Sequence, residues 1–302
     1  PGLEVVIHDT ASSPVQTLKV FKEQVLKVDH PIALLLPPDR PSTTLLLQQG
    51  STLPMLSIGS PAKGSTSGTT FFAQLTRAQQ AAALARTAIG RGVKRFAIIY
   101  PDKAYGTTFA THFTTAVTSL GGKIVKKIPY KFKKMPSRFN LKGVEGVFVP
   151  DAASRVELVA RLMAASGHFA KPWNNTKRKG MLLLSTAAGL SPRTLRNSAR
   201  YLKGAILAPG YFGLKSEVLP AKMATWGINR VLVHAYETWN YYSLIYTAVK
   251  GGALSHATLI RSLRQLSAGP GLGPLFGAKG HPRRPARLYE VRKAALHPID
   301  TL

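Results

Sequence analysis

Short unbroken apolar runs alternate along this chain with amphipathic stretches of helical period. The clearest instance is residues 94–122, KRFAIIYPDKAYGTTFATHFTTAVTSLGG. Phe96-Ala97-Ile98-Ile99-Tyr100 is apolar without a break. It is too short for a helix and suits a strand buried on both faces, as in a parallel sheet. Pro101-Asp102 ends it. From Tyr105 the spacing turns helical, with Phe109, Phe113, Ala116, Val117 and Leu120 on one face, and Gly121-Gly122 closes the helix. Lys123-Ile124-Val125 starts the next strand. The unit is β-α-β, and the loop after its first strand faces the crevice where open α/β sheets hold ligands.

The same alternation runs through the rest of the chain. Strands are expected at residues 3–8, 32–36, 53–58, 144–149, 181–184, 204–207 and 288–292. A helix follows Ser12-Ser13-Pro14, with Val15, Leu18, Phe21, Val25 and Leu26 as its apolar stripe. A short one runs from Ser42 to Gln49. An Ala-rich one reaches Ile89 behind a capping-box pattern at Thr76-Arg77-Ala78-Gln79. Further helices are expected at 152–166, from Ser191-Pro192, at 228–249 and at 259–266. Residues 59–70 and 269–280 read as loops, and 126–142 as basic and irregular. This order predicts parallel sheets covered by helices on both faces.

Composition adds one unusual feature. The 302 residues are 45% hydrophobic, enough for one large or two medium cores, and contain no cysteine, which excludes disulfides and thiol catalysis. No apolar run reaches membrane-spanning length. Against this ordinary background stand 41 Lys+Arg and 13 Asp+Glu, a net charge of +28. Residues 123–142 hold eight basic residues and no acid, and no acid lies between Glu157 and Glu217. Such a field attracts polyanions: nucleic acid, anionic lipid headgroups or acidic cell-wall polymers. The plainer reading is a solvated surface. The charges are spread over many elements rather than gathered on one reading helix, so nucleic acid is the weakest of these partners.

Candidate chemistry is sparse. Gly59-Ser60-Pro61-Ala62-Lys63-Gly64-Ser65 nearly spells a phosphate loop, but Lys63 precedes the second glycine and Pro61 removes an amide. The eight histidines are scattered, with no metal-binding spacing. Asp102 and Asp151 both follow strands, where acid/base work and simple turn capping compete. No nucleophile motif accompanies them. Catalytic, metal and cofactor residues are therefore expected to be none. Tyr236 and Trp239 lie on a long helix rich in aromatics. They are read either as its core or as the wall of a cleft.

Several segments in order resemble one family. The strand with YPDKAYG and a helix ending LGGKIV, LEVVIHDTASSP, PIALLLPPDRPSTT, LPMLSIGSPAKGS and GVEGVFVPDAASRVELVARLMAASG are similar to type I periplasmic binding proteins of the leucine/isoleucine/valine-binding kind. The wording of VFVPDAASRVELVARLMAASG and LLLSTAAGLSPRTLRNSARYLKGAILAPGYF is also similar to the binding-protein-like domain of penicillin-binding-protein activators. The family's opening strand and helix have no counterpart ahead of residues 3–8, and the basic excess is not a family trait.

The resemblance implies an α/β fold of two doubly wound parallel-sheet lobes with a cleft between them, the Venus-flytrap arrangement. Lobe one would be 1–91 and 212–268, and lobe two 92–211 and 269–302. It implies a non-catalytic periplasmic protein. One reading has it close on a small solute, such as an amino acid or peptide, for an ABC transporter. The alternative is an interaction domain that docks a cell-wall synthase or other envelope partner with no transported ligand. Ligand contacts carried over from the family are Ser42, Thr43, Ser57, Ser60, Tyr105, Asp151, Thr186 and Tyr211, with Tyr236 added from the aromatic helix. Hydroxyls would grip a carboxylate, and Asp151 would grip an ammonium.

Overall fold

The computed structural model describes residues 3–37, 39–59, 68–131, 134–168, 170, 180–186, 192–210, 233–266, 275–283, 286 and 288–299; at Arg40, 192–194 and 233–240 it describes the backbone alone. The chain forms two compact units. One is Pro1–Thr76 with Tyr211–Arg284, the other Arg77–Gly210 with Pro285–Leu302.

The first unit carries a parallel three-stranded sheet in the order β1 (Leu34–Leu36), β2 (Met55–Ser57), β3 (Thr70–Phe72). Helix α1 (Pro14–Val20) starts where the Ser13 hydroxyl accepts the Gln16 amide at 3.3 Å. Proline suits this first turn because its missing N–H would be unpaired there anyway. Helix α2 (Arg40–Leu47) starts where Asp39 Oδ1 accepts the Ser42 amide at 2.8 Å. Phe21, Val25, Leu36, Leu46, Leu53 and Met55 form one core cluster. Leu56, Phe71, Tyr241, Ile245, Leu259 and Leu263 form another, where the helices Val233–Lys250 and His256–Gln265 cover the sheet.

Three local expectations fail here. Residues 3–8 do not form a strand, and Val5, Val6 and Ile7 are 59%, 56% and 87% exposed. A strand exists only against a partner, and the described β1 pairs with β2 alone. The stripe after Pro14 buries Phe21 and Val25 but exposes Val15 and Leu26. Beyond Val20 the helix is wound as a π-helix, Phe21–Asp29, and the wider turn carries later positions off the α-helical stripe. Third, β3 lies at the end of a segment expected to be loop.

Glycine is required beside β3. The Phe72 amide donates to the Gly280 carbonyl at 2.9 Å, and a Cβ on Gly280 would fall 1.6 Å from the Thr70 carbonyl oxygen. Its φ of +70° is also a left-handed value that side chains resist.

The second unit is built on a seven-stranded sheet in the order β10-β9-β8-β7-β6-β4-β5. Strands β4 (Arg95–Pro101), β5 (Lys123–Tyr130), β6 (Gly146–Val149), β7 (Leu182–Ser185) and β8 (Ile206–Leu207) are parallel. Strands β9 (Leu288–Arg292) and β10 (Ala295–Ile299) add an antiparallel hairpin at one edge. Helices α3 (Arg77–Gly90), α4 (Ala104–Ser119), α5 (Ala153–Ala165) and α6 (Pro192–Leu202) complete the unit. The Ala-rich helix α3 packs on α4, so it belongs to this unit, and the division falls after Thr76. Phe96, Ala97, Ile98 and Ile99 are fully buried, as a strand covered on both faces requires. Strand β5 runs on to Tyr130, through residues expected to be irregular; as an edge strand it keeps its lysines in water. Glu290 of β9 is buried between Arg91 at 3.1 Å and Arg292 at 2.9 Å. Burial alone would raise its pKa, but the two guanidiniums hold the carboxyl below its usual value.

One histidine in the first unit gives the fold an acid-sensitive point. His281 stacks on Phe72 at 5.5 Å between centroids, and its Nδ1 is buried without a hydrogen-bond partner. Burial, and then the charge of Lys279, lower its pKa, so the folded state holds it neutral. The unfolded chain binds a proton near pH 6.5 that the fold refuses. The contribution to stability is thus intact above that pH and falls as pH drops below it. His281→Phe keeps the stack and is expected to flatten this acid-side decline. Urea midpoints of both proteins between pH 8 and pH 5 check it, and identical pH slopes would contradict it.

Candidate functional site

Strand β4 pairs with β5 on one side and β6 on the other, so the sheet grows in opposite directions from it. At such a switch point the loops leaving the two strands diverge and open a crevice at their C-terminal ends. Tyr105 follows β4, Asp151 follows β6, and Thr186 follows β7. These three are brought to one end of one sheet.

Local chemistry fixes each of them. The Asp102 amide donates to the Tyr130 carbonyl at 2.8 Å, which ties the start of the β4 loop to the end of β5. Helix α4 then begins against Pro101. Gly106 permits this, because a Cβ there would lie 2.2 Å from the Pro101 carbonyl oxygen. The close approach sets Tyr105 over the sheet end, 40% exposed. Its ring meets Phe109 edge-on at 5.1 Å, and the Arg77 guanidinium lies 4.9 Å from its centroid. Its hydroxyl is 3.5 Å from the Thr186 hydroxyl. Thr186 itself is buried. Beside it the Ser185 hydroxyl donates to the Val149 carbonyl at 2.7 Å, locking β7 to β6.

The Asp151 carboxylate is already engaged. Its Oδ1 accepts the Ala152 amide at 2.6 Å, and its Oδ2 accepts the Tyr130 hydroxyl. Burial raises the pKa of Tyr130, and the hydrogen bond to Asp151 and its charge raise it further, with Arg155 opposing. Burial also raises the pKa of Tyr105; Thr186 and Arg77 oppose it and Asp151 adds to it. Both phenols therefore stay protonated and act as hydrogen-bond donors.

The first-unit candidates are arranged differently. Ser42 is fully buried, with its hydroxyl 3.3 Å from that of Thr17. The Thr43 hydroxyl donates to the Pro37 carbonyl at 2.8 Å. Ser57 is fully buried and accepts the Gly59 amide at 3.2 Å. The Tyr241 hydroxyl lies 2.9 Å from the Ser57 carbonyl and 3.0 Å from that of Phe71, clamping the ends of β2 and β3. Ser60 and Tyr211 lie outside the described residues, and so does the side chain of Tyr236. Sequence reasoning missed Arg77 and Tyr130. Arg77 was read only as part of a cap, and Tyr130 sat in a basic stretch with no periodic signal. Among the described residues no group of three or more His, Asp or Glu is placed to hold a metal. No described helix is long and apolar enough to cross a membrane.

A mostly parallel α/β sheet with its polar cluster at a switch point defines a ligand-binding class of fold. The family pattern described as periplasmic binding protein matches residues 2–295, and the chain belongs to that family, in its type I, leucine-binding-like branch. Membership implies an extracytoplasmic location. The fold is shared with solved structures of low identity. A branched-chain amino acid ABC transporter periplasmic ligand-binding protein of Burkholderia xenovorans aligns with TM-score 0.79 at 11% identity, over 98% of this chain and 83% of that one. An ABC transporter substrate-binding protein of Desulfitobacterium hafniense in complex with Leu aligns with TM-score 0.69 at 18% identity, over 98% and 88%. An ABC transporter solute-binding protein of R. palustris in complex with benzoate aligns with TM-score 0.67 at 15% identity, over 97% and 83%. Curated protein sequences give no match.

Gly106→Ala tests whether the β4–α4 junction is as tight as its geometry requires. At an open helical position the change stabilises by about 1 kcal/mol. Here it is expected to destabilise by about 1–3 kcal/mol, as overpacking does. Denaturant unfolding beside an exposed control, Thr107→Ala, decides the sign, and a stabilised Gly106→Ala protein would contradict the reading.

Proposed function

We propose that the protein is a periplasmic solute receptor for an ABC-type importer, that its solute is a small carboxylate with an apolar body, and that the end of β4, β6 and β7 supplies part of the grip. The observation that carries this is the convergence of the Tyr105 hydroxyl, the Thr186 hydroxyl and the Arg77 guanidinium beside the rings of Tyr105 and Phe109. Protonated hydroxyls donate to carboxylate oxygens, a guanidinium supplies the countercharge, and the rings offer an apolar wall. Leucine and benzoate, the ligands named for two structural neighbours, share that chemistry. Asp151 fits the role of ammonium acceptor less well, because both its oxygens already accept bonds from the protein. Recognition of this kind needs no catalytic group.

A second reading has one observation in its favour. Ser42, Thr43 and Ser57 turn their hydroxyls into the first unit rather than offering them to a ligand. That suits a docking domain like those of penicillin-binding-protein activators, which would hold a cell-wall synthase and carry no solute.

Calorimetric titration and thermal shift against leucine, isoleucine, benzoate and short peptides separate the two. A saturable rise in Tm with one carboxylate is expected. Thr186→Val and Tyr105→Phe are each expected to weaken that affinity at least about tenfold, the worth of one hydrogen bond to a charged group. No response across the panel, together with capture of a cell-wall synthase by the whole chain, would overturn the solute reading.

A further inference from the structure

We propose that the opposite, N-terminal end of the second unit's sheet is a binding site for the phosphate headgroups of an anionic bilayer. Lys94, Arg95, Lys123 and Lys142 are all exposed there, and the backbone holds them together. The Lys123 amide donates to the Lys94 carbonyl at 2.8 Å, and Arg95 is the register partner of Lys123. The Arg95 Nε donates to the Gly143 carbonyl at 2.7 Å, which brings the neighbouring Lys142 to the same edge. The carboxylate closest in sequence, Glu145, is spent on the backbone: its Oε2 accepts the amides of Lys94 at 2.7 Å and Arg95 at 3.1 Å. It is thus fixed by amides rather than by an ammonium group. Exposed Lys127 extends the field along β5.

Lysines on an edge strand commonly prevent strand-on-strand association. That accounts for Lys123 and Lys127. It does not account for Lys94 and Lys142, which sit in the connections leading into β4 and β6, nor for Arg95 on the interior strand β4. A phosphate-bearing surface accounts for all of them.

Two observations favour a bilayer over nucleic acid. The family is extracytoplasmic, where lipid phosphate is at hand. Among the described residues, Phe96, the ring next to Arg95, is buried and offers no face on which a base could stack. Strand β4 has seven residues, about 20 Å of extended chain, so the basic end lies well away from Tyr105. A membrane bound there leaves the sheet's other end uncovered.

Sedimentation of the whole chain with vesicles tests the proposal. Binding is expected to mixed phosphatidylcholine–phosphatidylglycerol vesicles in low salt, with little to pure phosphatidylcholine and loss in high salt. Each basic residue at an anionic surface is worth roughly fivefold. The triple variant Lys94→Gln, Lys123→Gln, Lys142→Gln is therefore expected to lose on the order of 100-fold in affinity. The matching Lys→Arg triple should keep it. A control triple, Lys103→Gln, Lys131→Gln, Lys134→Gln, removes the same charge from exposed positions that follow β4 and β5 at the sheet's other end and should lose little. Thermal melts confirm that each variant is folded. Three results would overturn the proposal: no binding to phosphatidylglycerol vesicles, equal loss in the two Gln triples, or binding of an oligonucleotide but not vesicles.

Discussion

The hydrogen-bonded contact of β4 with two parallel neighbours is the constraint on which the second unit depends. Phe96–Ile99 have no exposure on either face, and β5 and β6 occupy both edges. A strand so enclosed has no freedom to slip, because a shift of one residue would exchange its two buried faces. Full burial of each large side chain contributes about 1.5–3 kcal/mol. Fixing β4 also fixes where it ends, and hence where α4 turns over Pro101 and where Tyr105 stands. The hydroxyl cluster at one end and the basic cluster at the other both take their places from how this strand is held.

Charge is handled differently at the two ends. Near the C-terminal end, Asp151 is bonded to Tyr130 and the Ala152 amide, and the phenols of Tyr105 and Tyr130 remain protonated. The Tyr105 and Thr186 hydroxyls lie together there, with the Arg77 guanidinium over the Tyr105 ring. At the N-terminal end, Glu145 is held by backbone amides, and the surrounding ammonium groups face water. The buried Glu290 is paired with Arg91 and Arg292.

How much of this was legible depends on how each element signals itself. The strands expected at 96–100, 144–149 and 181–184 are found at Arg95–Pro101, Gly146–Val149 and Leu182–Ser185, because strands buried on both faces show as apolar runs. Tyr105, Asp151 and Thr186 come from the family resemblance, and each follows one of those strands. Ser42, Thr43 and Ser57 come from the same resemblance, yet their hydroxyls close internal bonds that no sequence pattern distinguishes from a ligand's. β3 is three residues long, too short to show a period. The β9–β10 hairpin turns on Lys293 and Ala294, both with positive φ, where a sequence signal would be Asn-Gly. The π-helical winding after Val20 depends on tertiary packing and cannot be read from spacing. Arg77 and Tyr130 come from distant segments: the packing of α3 on α4 places the first, and the pairing of β5 with β4 places the second.

The central claim is that this protein recognises its solute at the C-terminal end of the β4–β6–β7 sheet. Amide hydrogen exchange, with and without a saturating carboxylate from the solute panel, examines it directly. The account predicts slowed exchange at the amides of residues 102–106, 151–153 and 185–186, with no change at 94–95 or 123. Protection confined to any other segment, with these amides unaltered, would contradict it.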